Sequence, residues 1–154
     1  MALHKDITGS DNHEPKGVET ASAGQVYTAN GSGSGSWTTP GATGYAVVCT
    51  SFADISAPST VYFSAPVTGT IVAVYITLQS AITVANSVVT GAIAGSPIGG
   101  LSLTVTQSGS AAGSVFSDTS LTGASVTAGQ SISLTTDGGS TTTAVAHVEV
   151  VFSY

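Results

Sequence analysis

The stretch Gly69-Thr70-Ile71-Val72-Ala73-Val74-Tyr75-Ile76-Thr77-Leu78 decides the fold of this chain. β-Branched and aromatic side chains dominate it, and these residues favour strands. It is apolar at both odd and even positions over much of its length, which is typical of a strand that is buried on both faces or lies at an interface. We therefore predict a strand over 69–78 and an oligomer interface at Ile71, Val72, Val74, Tyr75 and Ile76.

Further β-rich runs lie on both sides of this strand and are separated by turn signals. They span 45–50, 60–64, 87–94, 101–106, 131–136 and 144–154, with a weaker run at 113–116. Ser96-Pro97, Gly99-Gly100 and Asp137-Gly138-Gly139 are turn sequences. Seven to eight strands without helical intervals predict an all-β fold, a β-sandwich, with an eight-stranded jelly roll favoured. An immunoglobulin-like sandwich is the alternative, although its Cys…Trp…Cys pattern is absent.

Charge divides the chain into two parts. Six of the ten charged side chains, including both lysines, fall in the first twenty residues, and the chain carries a net charge of −6. Residues 20–154 hold only Asp54, Asp118, Asp137 and Glu149. Charge keeps free domains apart in solution, so a body this poor in charge favours an assembly component that packs against other subunits.

The segment 1–40 has few residues with which to form a core, and Gly31-Ser32-Gly33-Ser34-Gly35-Ser36 has a flexible linker composition. Its centre, His13-Glu14-Pro15-Lys16-Gly17, combines a fixed φ, a permissive glycine and both signs of charge. We predict an extended N-terminal arm over 1–40 that gains order on a partner, followed by the β-sandwich body over 41–154.

The body lacks the residue patterns of a catalytic or metal site. His147 and Glu149 lie two apart on one strand and point to one face, but two ligands are too few for zinc, and we interpret them as an exposed or interface-facing pair. Asp54 and Asp118 are expected in loops, bonded to nearby backbone N–H groups. A nucleophilic triad and a calcium loop are not indicated. We predict no enzymatic activity, no metal and no cofactor.

The same composition argues against nucleic acid and membranes as partners. Two lysines cannot form the basic face that a phosphate backbone requires, so nucleic acid is not expected. No apolar run reaches about eighteen residues and no leader pattern precedes the body, so we expect no membrane partner and a protein that is made and used without secretion. Cys49 is interpreted as a small buried residue on a strand. The aromatics Trp37, Tyr45, Tyr62, Tyr75 and Tyr154 leave a carbohydrate-binding module open as an alternative.

Several segments carry a resemblance to a known family. The run His13-Glu14-Pro15-Lys16-Gly17-Val18, followed by 23–31 and by Gly35-Ser36-Trp37, resembles the N-terminal arm of capsid decoration, or cement, proteins of tailed bacteriophages. In the body, 70–75, 128–132 and 136–140 are similar to the β-sandwich that follows such an arm. The His-Glu-Pro-Lys-Gly element is the more specific part, because many phage fibre domains share the body pattern.

The resemblance implies a structural virion protein on the outer capsid surface. Its partners would be the major capsid protein, whose capsomer contacts it would reinforce, and further copies of itself, usually as dimers or trimers. For this chain we expect a homo-oligomer, with a trimer favoured. The arm residues expected to bind are His13, Glu14, Pro15, Lys16, Gly17, Val18, Val26, Tyr27 and Trp37. A tail-fibre or head-fibre component is the alternative within the same class of structural proteins.

Overall fold

The computed structural model of the protein describes residues 21–32, 35–41 and 44–154. The chain divides into two compact units, Met1–Ala42 and Thr43–Tyr154. The division falls two residues after the boundary that composition alone predicts. We call the second unit the body.

A β-hairpin forms the described part of the first unit. Strand β1 spans Val26–Ala29 and strand β2 spans Gly35–Thr38, and they pair antiparallel with Tyr27 opposite Trp37. The Thr28 and Thr38 hydroxyls lie 2.8 Å apart and share a hydrogen bond. Gly35 and Ser36, which the sequence places in a flexible linker, are strand residues, and cross-strand side chains stabilise the pair.

The body contains nine strands and no helix in its described residues. Their bounds are β3 Tyr45–Phe52, β4 Ser59–Ser64, β5 Gly69–Leu78, β6 Ser87–Ile93, β7 Ser96–Val105, β8 Val115–Asp118, β9 Ser125–Val126, β10 Ser131–Thr136 and β11 Ala146–Ser153. The all-β prediction is confirmed, and the bounds of β5 and β10 are those expected from the sequence. The two-residue strand β9 was not predicted.

Strand β7 begins five residues earlier than the sequence predicts. The turn lies at Ala94 and Gly95, both with positive φ (48° and 84°), so Ser96 pairs directly with Ile93. Two positive φ values in a two-residue loop suit the right-handed twist of a hairpin. The expected turn at Ser96-Pro97 therefore lies inside β7, where proline is tolerated because β7 is an edge strand.

Two sheets make up the body. One has the order β4-β10-β6-β7, the other has the order β3-β11-β5-β8, and β9 also pairs with β5. Every pair is antiparallel. Alternate residues of both sheets face a single apolar core that includes Phe52, Ile76, Leu134 and Phe152. The body is thus a β-sandwich-like arrangement in which two sheets share one core.

Among the residues that the structure describes, every member of the core belongs to the body. Its members run from Phe52 to Phe152, and further half-buried side chains pack against them. Among the described residues, no helix has the length and apolar character needed to cross a membrane.

Candidate partner-binding surfaces

The predicted arm site falls partly on the hairpin. Six of the predicted residues lie outside the described residues, so their roles stay predictions: His13, Glu14, Pro15, Lys16, Gly17 and Val18.

The hairpin holds the other three predicted residues. Val26 is about half exposed, whereas Tyr27 and Trp37 are half-buried on the other face of the hairpin. Their rings meet edge to face, with centroids 5.4 Å apart and an interplanar angle of 66°. Such a pair adds stability beyond its buried area, so the hairpin brings two of the predicted binding residues together.

The predicted oligomer interface on β5 is wrong for three of its five residues, because these three are buried in the core. Ile71, Val74 and Ile76 are at most 1% exposed and belong to the core, so a second subunit cannot reach them. Val72 and Tyr75 are half-buried and are the members of the set that remain accessible.

A β-bulge accounts for the pattern that suggested this interface. The register of β5 against β11 shifts between Val151 and Phe152. Ile71 faces the core on one side of the shift, whereas Val74, Ile76 and Leu78 face it on the other. An extra residue in one strand exchanges odd and even positions. The apolar residues at both parities therefore serve one core rather than a core and an interface.

His147 and Glu149 lie exposed on the outer face of the β3-β11-β5-β8 sheet. Glu149 pairs with Cys49 on one side and Tyr75 on the other, and His147 pairs with Ser51 and Thr77. Cys49 is exposed rather than buried, which corrects the sequence interpretation: β3 turns this side chain to the outer face. The described part of the chain contains no cluster of three or more His, Cys, Asp or Glu that could hold a metal ion.

Three carboxylates of the body, those of Asp54, Asp118 and Asp137, accept hydrogen bonds from backbone N–H groups. Asp54 Oδ1 accepts hydrogen bonds from the N–H groups of Ser56 (2.9 Å) and Ala144 (3.1 Å). Asp137 Oδ1 accepts from Val88 N–H at 2.8 Å and from Gly139 N–H at 3.2 Å. Asp118 ends β8 and accepts from Ser120 N–H and Ser102 N–H. These bonds give the carboxylates structural roles in turns and between segments.

Four loops at one end of the body are linked by side-chain hydrogen bonds. They are residues 53–58, 79–86, 106–114 and 137–145. Ser56 Oγ donates to Thr142 O at 2.6 Å, and the Thr83 and Thr142 hydroxyls share a hydrogen bond. Ile82 N–H donates to Ser110 Oγ at 3.1 Å. Sequence reasoning missed this network because its partners lie up to 90 residues apart along the chain.

The two lateral sides of the sandwich differ. On one side, the edge strand β7 is linked to β8 and to the segment that follows β8. Ser102 N–H donates to Asp118 Oδ2 at 3.2 Å, and Thr122 N–H donates to Gly99 O at 2.7 Å. The inward side chains of β7, such as Leu101, are nearly fully buried. We call this the sealed side.

On the other lateral side, the edge strands are β3 and β4, and no hydrogen bond joins them within the described residues. Four of their inward apolar side chains stay half-buried: Ala46 and Val48 on β3, Val61 and Phe63 on β4. We call this the open side. Sequence reasoning missed it because the neighbours of a strand cannot be deduced from the pattern of that strand alone.

Three of the five aromatic side chains, Tyr45, Tyr62 and Tyr75, do not converge on one platform. Tyr45 is on β3 and Tyr62 is on β4, in different sheets, and both point outward with about three quarters of their surface exposed. Tyr75 pairs with Glu149, four positions along β11 from Ser153, which is the partner of Tyr45. Because stacking requires neighbouring rings, this arrangement gives the carbohydrate-binding alternative no support.

Comparison of the chain with protein-family models gives no match, and a search of curated proteins gives none either.

Proposed function

We propose that this protein is a structural component of a tailed-phage virion that binds the outer capsid surface and stabilises contacts between capsomers. The observation that carries the proposal is the distribution of charge: six of ten charged residues lie in the first twenty, ahead of a β-sandwich-like body with four. A body of this kind suits close packing between subunits. The resemblance of residues 13–18 and 23–31 to the arm of capsid decoration proteins points to the same role.

We further propose that the body is an eight-stranded jelly roll, with β8 and β9 forming one interrupted strand. Both pair with β5, one after the other. Counted this way, the first body strand pairs with the eighth (β3 with β11) and the second with the seventh (β4 with β10). The third pairs with the sixth (β5 with β8 and β9) and the fourth with the fifth (β6 with β7). This nested order supports a long hairpin folded into two sheets, as in double-sheet jelly rolls.

Attachment would use the N-terminal unit. The hairpin presents Tyr27 and Trp37 as a preformed aromatic pair, and residues 1–20 contribute both lysines and four carboxylates. Several arms in one oligomer would turn weak single contacts into tight attachment, because the second contact is made at a high effective concentration. The major capsid protein is the proposed partner.

Capsids purified without the protein provide the test. The full chain should bind them in a sedimentation assay, and the same chain lacking residues 1–40 should not. The deletion should end at residue 40, because β2 extends to Thr38. Full retention of binding by the truncated chain would exclude the arm as the attachment element.

The location of the protein separates the two structural alternatives. Electron microscopy of gold-labelled virions should show the protein over the capsid shell. Label confined to the tail or to the base of a fibre would instead favour the fibre component.

A further inference from the structure

The open side of the body exposes one edge of each of its two sheets, at β3 and at β4. Within residues 21–32, 35–41 and 44–154, strand β3 is hydrogen-bonded to β11 alone and β4 to β10 alone, so one edge of each strand has N–H and C=O groups that no described strand pairs. Beneath those edges, Val48, Val61 and Phe63 are only half-buried although they point to the core. An unpaired edge beside incompletely covered apolar side chains suits the addition of another strand.

The edge strands of the sealed side, β7 and β8, carry features that prevent such pairing, whereas β3 carries none. Strand β7 contains Pro97 and a register irregularity opposite 90–92, and β8 has only four residues. Strand β3 has eight residues without proline or charge, and all eight pair with β11 in unbroken register. A long, regular, uncharged edge is the kind that pairs with another strand.

We infer that a second copy of this chain covers the open side through a two-fold axis, with β3 pairing antiparallel to the β3 of the copy and β4 facing β4. The inference rests on the proposal that the protein acts as a homo-oligomer and names the surface involved. It replaces the predicted interface on β5. A two-fold contact joins copies in pairs, so the assembly would be a dimer or a multiple of it rather than the expected trimer.

The absence of charge from both strands favours a second copy over a different protein. A two-fold axis brings identical residues close together, so any charged residue at the edge would meet its own like charge. Residues 45–52 and 59–64 contain no Asp, Glu, Lys or Arg. The nearest strand carboxylate in this sheet, Glu149, lies one strand further in. It would stand at least about 14 Å from its equivalent, since strands are about 4.8 Å apart, which exceeds the screening length of about 10 Å.

A matched pair of lysine substitutions in the full chain tests the inference. Val47 on β3 and Val115 on β8 are outward-facing valines on the two opposite edge strands of one sheet, 54% and 61% exposed. In analytical ultracentrifugation, the unaltered protein should sediment with twice the mass of one chain or a multiple of it. Val47→Lys should weaken association at least about tenfold, because a lysine on an edge strand opposes pairing with another strand. Val115→Lys should leave association unchanged.

Cross-linking through Cys49 gives a second readout on the unaltered protein. The chain has one cysteine, and it is exposed on β3. A short bis-maleimide should therefore give a covalent dimer through Cys49, and Val47→Lys should abolish it. A monomer in ultracentrifugation, an absence of the cross-link, or dissociation by Val115→Lys alone would overturn the inference.

Amide hydrogen exchange identifies any other occupant of the edge. In the dimer, exchange should be slow at all β3 amides, including those that face away from β11. Slow exchange at those amides in a monomer would show that the edge is covered by the same chain. Slow exchange that arises only on capsids would assign the edge to the capsid protein. Either result would overturn the inference.

Capsid binding, measured separately, distinguishes this inference from the proposed function. A Val47-dependent dimer that does not bind capsids would retain the inference and remove the proposed function. A monomer that binds capsids would remove the inference and retain the proposed function.

Discussion

Gly138 is required by the turn after β10. Its φ is 66°, and a Cβ atom there would collide with the backbone of Ala57 and Pro58 in a neighbouring loop. Gly129 also has a positive φ, 82°, but a Cβ would meet nothing within 4 Å. Gly129→Ala should therefore cost only the left-handed backbone conformation, about 1–2 kcal/mol. Gly138→Ala should lower the free energy of unfolding further, because backbone must also move.

Urea denaturation of both glycine variants measures this difference. The comparison isolates the close approach, since the backbone conformation is similar at the two positions. Equal losses of stability in the two variants would contradict a tight contact between the 53–58 and 137–145 loops.

Asp54 joins two of the four hydrogen-bonded loops at one end of the body, 53–58 and 137–145. Its Oδ1 accepts hydrogen bonds from Ser56 N–H and from Ala144 N–H, which is 90 residues away. Asp54→Ala would leave both donors without this acceptor and should cost about 1–3 kcal/mol in the free energy of unfolding. Asp54→Asn keeps an oxygen at the same place and should cost less. Thermal denaturation of the two variants measures the effect, and a loss in Asn as large as in Ala would show that charge matters more than the two bonds.

The β1–β2 hairpin is the element that we expect to make the main apolar contact with the capsid. Exposed ion pairs contribute about 0–1 kcal/mol each, so burial of aromatic surface should outweigh the contacts of Lys5 and Lys16. Replacement of Tyr27 and Trp37 by Ala should therefore weaken capsid binding more than replacement of Lys5 and Lys16 by Ala. Quantitative co-sedimentation with capsids compares the two double variants.

The salt dependence of capsid binding separates apolar burial from electrostatic attraction. Raising ionic strength from about 0.1 M to about 1 M shortens the screening length from about 10 Å to about 3 Å. Binding that depends on apolar burial should survive this change. Release by salt alone, with the aromatic double variant still bound, would show that electrostatic attraction holds the arm.

At the scale of the whole molecule, we expect the body to fold without the first unit. Every buried core residue in the described part of the chain lies between Phe52 and Phe152, within the Thr43–Tyr154 unit. A unit with its own core can fold alone. Residues 41–154 should give a β-type circular dichroism spectrum and a single cooperative thermal transition. An unfolded 41–154 chain would contradict this and would also make the capsid-binding deletion uninformative.

The sequence by itself determined the fold class and most of the strand positions. Local propensity and alternation depend on neighbouring residues, and they account for the bounds of β5 and β10, the turn at 137–139 and the outward orientation of His147 and Glu149.

Tertiary structure alone decided which strands are edges, and where a bulge reverses the inward face of a strand. Ile71 and Val74 both enter the core because of the register of β5 against β11. Val48 and Phe63 are half-buried because β3 and β4 end their sheets. Both outcomes depend on pairing between segments far apart in the chain, which no local pattern records.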